Sequence, residues 1–219
     1  MINKKNVAVI GGGFEQLDGI KNLKKKFKIY GFDDDNKAIG KKYFDVAPNI
    51  KIKDKKIILN YLKKKNILSV FSFCSERTLS LVSYLSLNLN NNNIYGNLLK
   101  KCINKNTFRI SLSKYGVNNP QFSILKSKKQ IKENKILKPL KGSGSKGILI
   151  INKKNKQDIK IDKFKNYLIE DYIQGNLFAI EGFCIKKKFH GLALSRKYRD
   201  KISPLIDKKI VFNYQNKKL

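Results

Sequence analysis

The chain has 219 residues, 41% hydrophobic and 11% aromatic, enough for one large domain or two small ones with a real core. Its formal charge is +32, from 48 Lys and Arg against 16 Asp and Glu. His190 is the only histidine, and Cys74, Cys102 and Cys184 stand far apart without metal or redox spacing, which argues against a histidine-based triad or metal centre.

The charge invites a nucleic-acid reading, but its composition argues against one. Only Arg77, Arg109, Arg196 and Arg199 are arginine, and planar two-point recognition of phosphate or guanine favours arginine. The lysines fall on helix faces and turns throughout, as at Lys24 to Lys26, Lys63 to Lys65 and Lys186 to Lys188. They form no single basic segment with interleaved aromatics, so no specific nucleic-acid partner is expected. The three scattered cysteines fit a reducing cytoplasm. The N-terminus shows no signal-peptide pattern, and no apolar run approaches the roughly 20 residues of a membrane span.

In chain order, Val7 to Ile10 predict a buried strand, Gly11 to Gly13 a tight turn, and Leu17, Ile20 and Leu23 a helix. Phe27 to Phe32 predict a second strand, ending in Asp33, Asp34 and Asp35. This βαβ pattern calls for a parallel sheet. A helix through Ile57, Leu59, Tyr61 and Leu62, a strand from Leu68 to Phe73, and a helix from Thr78 to Leu87 continue it. The run Asn88 to Asn93 reads as a loop, and the first domain boundary is expected near Gly96. From Asn97 to Tyr115 the pattern is helical. Strands are then expected at Gln121 to Leu125, Ile136 to Pro139, Gly147 to Ile151 and Tyr167 to Glu170. Leu177 to Ile185 and Phe189 to Lys197 predict a hairpin turning at Lys186 to Lys188. The second half is thus strand-rich and antiparallel.

Two glycine clusters could carry chemistry. Gly11, Gly13 and Asp33 follow part of the dinucleotide-binding fingerprint, but its third glycine position is Gln16. The cluster is either such a site, in an NAD(P) oxidoreductase, or the tight turn of any parallel α/β domain. The second cluster, KPLKGSGSKG (Lys138 to Gly147), sits between two strands and does not match the phosphate loop that opens a helix. Alone it is either an ordinary turn or a loop whose N–H groups fold over an anion, with Lys138 aimed at the same phosphates.

The order of motifs distinguishes these readings. Lys105 to Arg109, KPLKGSGSKG, YLIEDYIQG, FAIEGF and LSRKYR follow one another in a succession that resembles the ATP-grasp family of carboxylate–amine ligases. VAVIGGG, IYGFDDD and FSFCSE resemble the Rossmann-like domain that precedes the ATP-grasp domain in that family. The resemblance implies an α/β chain with residues 1–96 as the preceding parallel-sheet domain and 97–219 as an incomplete α+β ATP-grasp domain. It implies ATP and Mg2+ as cofactors and small-molecule carboxylate and amine substrates. Lys105 and Lys138 match phosphate-binding lysines, and Gly142, Ser143, Gly144, Ser145 and Gly147 the mobile lid. Glu170, Asp171, Tyr172 and Ile173 match the hinge that holds adenine. Glu181 matches a recurrent acid, Lys197 a lysine on the return strand, and Arg196 and Arg199 are candidate substrate cations. No catalytic residue is assigned.

Two departures stand out. Leu177 occupies the position where the family places an acid for the ribose, and an apolar side chain cannot accept from hydroxyls. The family's magnesium ligands lie on strands beyond the LSRKYR-like segment, and Asp200 and Asp207 lack the matching context. The resemblance therefore implies a truncated or split form, whose missing part comes from a companion chain or a homodimer, and no metal ligand is assigned.

Overall fold

A computed structural model describes residues 4–89, 98, 101–161, 164–186, 188–200 and 205–212. The contacts divide the chain into two compact units, Met1–Asn118 with Leu140–Ser143, and Asn119–Pro139 with Gly144–Leu219. The boundary expected at Gly96 lies outside the described residues.

The first unit is built on three parallel strands in the order β2-β1-β3: β1 is Asn6–Ile10, β2 Lys28–Phe32 and β3 Ile67–Phe71. Val7 to Ile10 are fully buried because the sheet is covered on both faces. Side chains alternate along a strand, so Val7 and Val9 enter one core and Ala8 and Ile10 the other. Helix α1 (Leu17–Lys26) supplies Ile20 to the first core. Helices α2 (Lys55–Lys63) and α3 (Leu79–Asn88) supply Ile58, Leu62, Leu81 and Leu85 to the second. This is the parallel α/β arrangement expected from the βαβ pattern.

Helix α4 (Lys105–Lys114) follows. The sequence predicted one helical run from Asn97. Residues 101–103 are helical, but the run breaks at Asn104, which caps α4 by accepting from the N–H groups of Asn106 and Thr107 at 2.9 and 3.3 Å.

The second unit contains two antiparallel sheets. The first has the order β4-β7-β5-β6, with β4 Phe122–Ile124, β5 Lys135–Pro139, β6 Leu149–Ile151 and β7 Tyr167–Asp171. Leu137, Ile151 and Ile169 share one face and pack with Leu125, Ile131 and Ile159. Strand β6 starts two residues later than predicted, because Gly147 has φ +71°, outside the extended region.

The second sheet has the order β10-β9-β8. The predicted hairpin is present, with β8 at Leu177–Ile185 and β9 at Lys188–Arg199. Pairing jumps from Glu181 opposite Ala193 to Gly182 opposite Gly191, so Leu192 is an unpaired bulge residue. Strand β10, Asp207–Val211, was not predicted.

Candidate functional site

The Gly/Ser stretch is the loop of the β5–β6 hairpin, whose strands pair Lys135 with Ile151 and Leu137 with Leu149. Between Pro139 and Leu149 the backbone enters the left-handed region at Gly142, Gly144, Ser145 and Gly147. Gly142 at φ +117° is a conformation that side chains rarely adopt. Residues 141–147 are all exposed. The Ser145 hydroxyl donates to the Leu205 carbonyl at 3.3 Å.

Lys105 is the first residue of α4. Its backbone N–H donates to the Leu140 carbonyl at 2.9 Å, and its Nζ donates to the Gly142 carbonyl at 2.7 Å. One residue thus holds the first arm of the Gly/Ser loop at two points.

Lys138 and Glu170 face each other across β5 and β7. The register pairs Lys138 with Leu168 and Ile136 with Glu170, which puts the two side chains on the same face as diagonal neighbours. The Lys138 ammonium pairs with the Glu170 carboxylate, and Glu170 is 2% exposed. On the opposite face Lys135 pairs with Asp171. The remaining hinge candidates lie where β7 ends. Asp171 N–H donates to the Gln121 carbonyl at 3.0 Å and Tyr172 N–H to Asn134 at 2.9 Å, while the Ile173 side chain is exposed.

The other candidates lie on the second sheet. Leu177 opens β8 opposite Lys197, and Glu181 is exposed. Lys197 Nζ and Arg199 Nε lie 3.2 and 3.1 Å from the two carboxylate oxygens of Asp207 on β10. Arg196 donates to Asn176 Oδ1 at 2.8 Å and lies over the Tyr198 ring, 4.8 Å from its centre. Register alone brings Asp207 to these cations, and register is not visible in the sequence.

The first glycine cluster is a self-braced turn. Gly11 N–H donates to the Phe32 carbonyl at 2.8 Å, and Gly12 N–H donates to Asp33 Oδ2 at 2.6 Å. Asp33 Oδ1 accepts from Asp35 N–H at 2.7 Å. Gln16, in the third fingerprint position, is buried with its carboxamide against Gly11. Asp33, the residue a dinucleotide site would turn to the ribose, braces the loop instead.

Among the described residues, no group of three or more His, Cys, Asp or Glu side chains is placed to hold a metal ion. No helix among them is long and apolar enough to cross a membrane.

Comparison with known families matches residues 102–214, just over half of the chain, to the ATP-grasp domain. The chain therefore belongs to the ATP-grasp family. A search of curated proteins finds no match. Among solved structures, L-amino acid ligase from Bacillus licheniformis superposes with a TM-score of 0.79 at 18% identity, over 100% of this chain and 57% of that one. N5-carboxyaminoimidazole synthetase from Staphylococcus aureus complexed with ADP gives 0.72 at 16% identity, over 98% of this chain and 59% of that one. Phosphoribosylglycinamide synthetase from Anaerococcus prevotii gives 0.60 at 13%, over 88% and 56%. These likenesses show the fold, and the chain spans less than three-fifths of each of these neighbours.

Proposed function

We propose that the chain is the nucleotide-handling part of an ATP-dependent ligase that joins a small-molecule carboxylate to an amine. The observation that carries this reading is the exposed loop with four left-handed positions between β5 and β6, in a chain of the ATP-grasp family. Such a loop turns backbone N–H groups toward an anion without side chains in the way.

In this reading Gly142 to Gly147 cover the triphosphate, Lys105 and Lys138 offset its charge, and Glu170 to Ile173 hold the adenine. That several solved neighbours are complexes with ADP supports the assignment of the nucleotide. In the reaction, a carboxylate oxygen attacks the γ-phosphorus and ADP leaves with the bonding pair. The amine then attacks the carbonyl carbon of the acyl phosphate, phosphate departs, and the nitrogen loses a proton. The lid and lysines stabilise charge and exclude water. ATP-dependent ligation of this type calls for magnesium, but the described residues offer no ligand set for it, so no step is assigned to the metal. The substrate-reading surface is proposed to be completed by a companion chain or a second copy. The three free cysteines fit a cytoplasmic setting.

Thermal unfolding with and without Mg-ATP, in the wild type and in Lys138→Ala, tests this. A ligand that binds only the native state raises its midpoint. The expected result is a rise in the wild type that is lost in the variant. A folded wild type whose midpoint does not move would refute the nucleotide site.

A further inference from the structure

The Lys105 side chain stands in an electrostatically awkward place. It begins α4, where the exposed N–H groups of the first turn give the helix a partial positive charge that disfavours a cation. Local preference would put an acid there. Lys105 instead reaches out of the helix, and its ammonium meets the Gly142 carbonyl at 2.7 Å. Its own backbone N–H, one of the donors a helix start leaves without an intrahelical partner, meets the Leu140 carbonyl at 2.9 Å. Two bonds from one residue therefore grip two carbonyls at the start of the Gly/Ser loop.

The grip falls where the loop needs it. Gly142 has φ +117° and nothing within 4 Å of where a Cβ would stand, so no neighbouring group packs against that side of the residue. Leu140–Ser143 also belong to the compact unit that contains Lys105, not to the unit of the flanking strands.

We infer that Lys105 is a positioning residue for the lid, pinning its first arm through a two-point clamp. The half made by the backbone N–H is permanent. The half made by the ammonium is exchangeable, since a charged phosphate oxygen is a stronger acceptor for it than a neutral carbonyl. The same lysine that meets the nucleotide would thereby release the loop that covers it. This last step rests on the ATP-binding reading; the clamp does not.

Lys141 and Lys146 put two tryptic sites inside the loop. The test follows cleavage after these two residues by intact mass spectrometry in the nucleotide-free full chain. It compares the wild type with Lys105→Met and Lys105→Arg. Thermal midpoints and circular dichroism verify that each variant is folded. Loss of one hydrogen bond of ordinary strength predicts cleavage about fivefold faster in the Met variant. The Arg variant, which keeps a cationic donor, is expected to cleave at the wild-type rate. A folded Met variant whose loop is cut no faster than the wild type overturns the clamp. Mg-ATP midpoints measured on the same proteins separate the two ideas. Faster cutting in the Met variant with no ATP shift in the wild type keeps the clamp and refutes the nucleotide reading. An ATP shift with equal cutting does the reverse.

Discussion

The Lys138 ammonium and the Glu170 carboxylate form an ion pair across two antiparallel strands, and the acid is almost wholly shielded from water. A shielded carboxylate requires compensation, and Lys138 supplies it. The lysine that the proposal sends to a phosphate is therefore already engaged. Lys105 holds a carbonyl, and Lys197 and Arg199 flank Asp207. Each of these candidate cations has a protein partner, and an anion that binds one of them competes with that partner.

Lys138→Met is expected to lower stability by about 3 kcal/mol, because it leaves the buried Glu170 carboxylate without this cation. Replacing both residues, as Lys138→Met with Glu170→Leu, is expected to cost clearly less than Lys138→Met alone. Urea unfolding at neutral pH measures both. A single variant as stable as the wild type would show that the pair contributes nothing.

Asp45 provides a pH signature. Burial pushes its carboxyl upward, but the Ile29 N–H, the Lys24 ammonium and the Lys4 charge together outweigh that and hold it below the ordinary 3.8. A group depressed in the folded state adds stability that is complete above its unfolded value and is lost as pH falls through the folded one. Asp45→Asn should therefore be less stable than the wild type near neutrality, and the gap should narrow as the pH falls below 3.8. Stability curves that stay parallel throughout the acid range would contradict the assignment.

The hairpin offers a paired test of packing. A Cβ on Gly182 would stand 2.2 Å from the His190 carbonyl oxygen, whereas one on Gly191 would make its nearest contact at an ordinary 3.6 Å. Gly182→Ala is expected to cost about 2 kcal/mol or more, since backbone must move. Gly191→Ala should change stability by no more than about 0.5 kcal/mol. Thermal melts of the two variants should separate clearly, and coincident melts would dispose of the steric argument.

The sequence made some of this legible and hid the rest for identifiable reasons. Val7 to Ile10 read as a buried strand because a parallel sheet covered on both faces needs a continuous apolar run. The β8–β9 hairpin read correctly because two apolar runs flank a lysine turn. Strand β10 did not, because Asp207, Lys208 and Lys209 dilute a five-residue strand below any periodic signal. Asn104 could have marked the start of α4, since asparagine is a favoured cap, but the surrounding Lys/Asn-rich sequence masked it. The ordered motifs identified the family, and comparison bore that out. What they could not supply was partnership. Lys138 meeting Glu170, and Lys105 meeting Gly142, depend on register and on a loop path that no single segment encodes.

The four residues Leu140–Ser143 have a consequence for how such a polypeptide can be inherited. They belong by contact to the unit of residues 1–118, yet they are reached only after the chain has passed through residues 119–139 of the other. A genetic crossover after residue 118 would part the first unit from this piece, and one after residue 143 would carry off a stretch of the second. Neither unit is one continuous segment of the sequence, so no single cut in the chain yields both units whole.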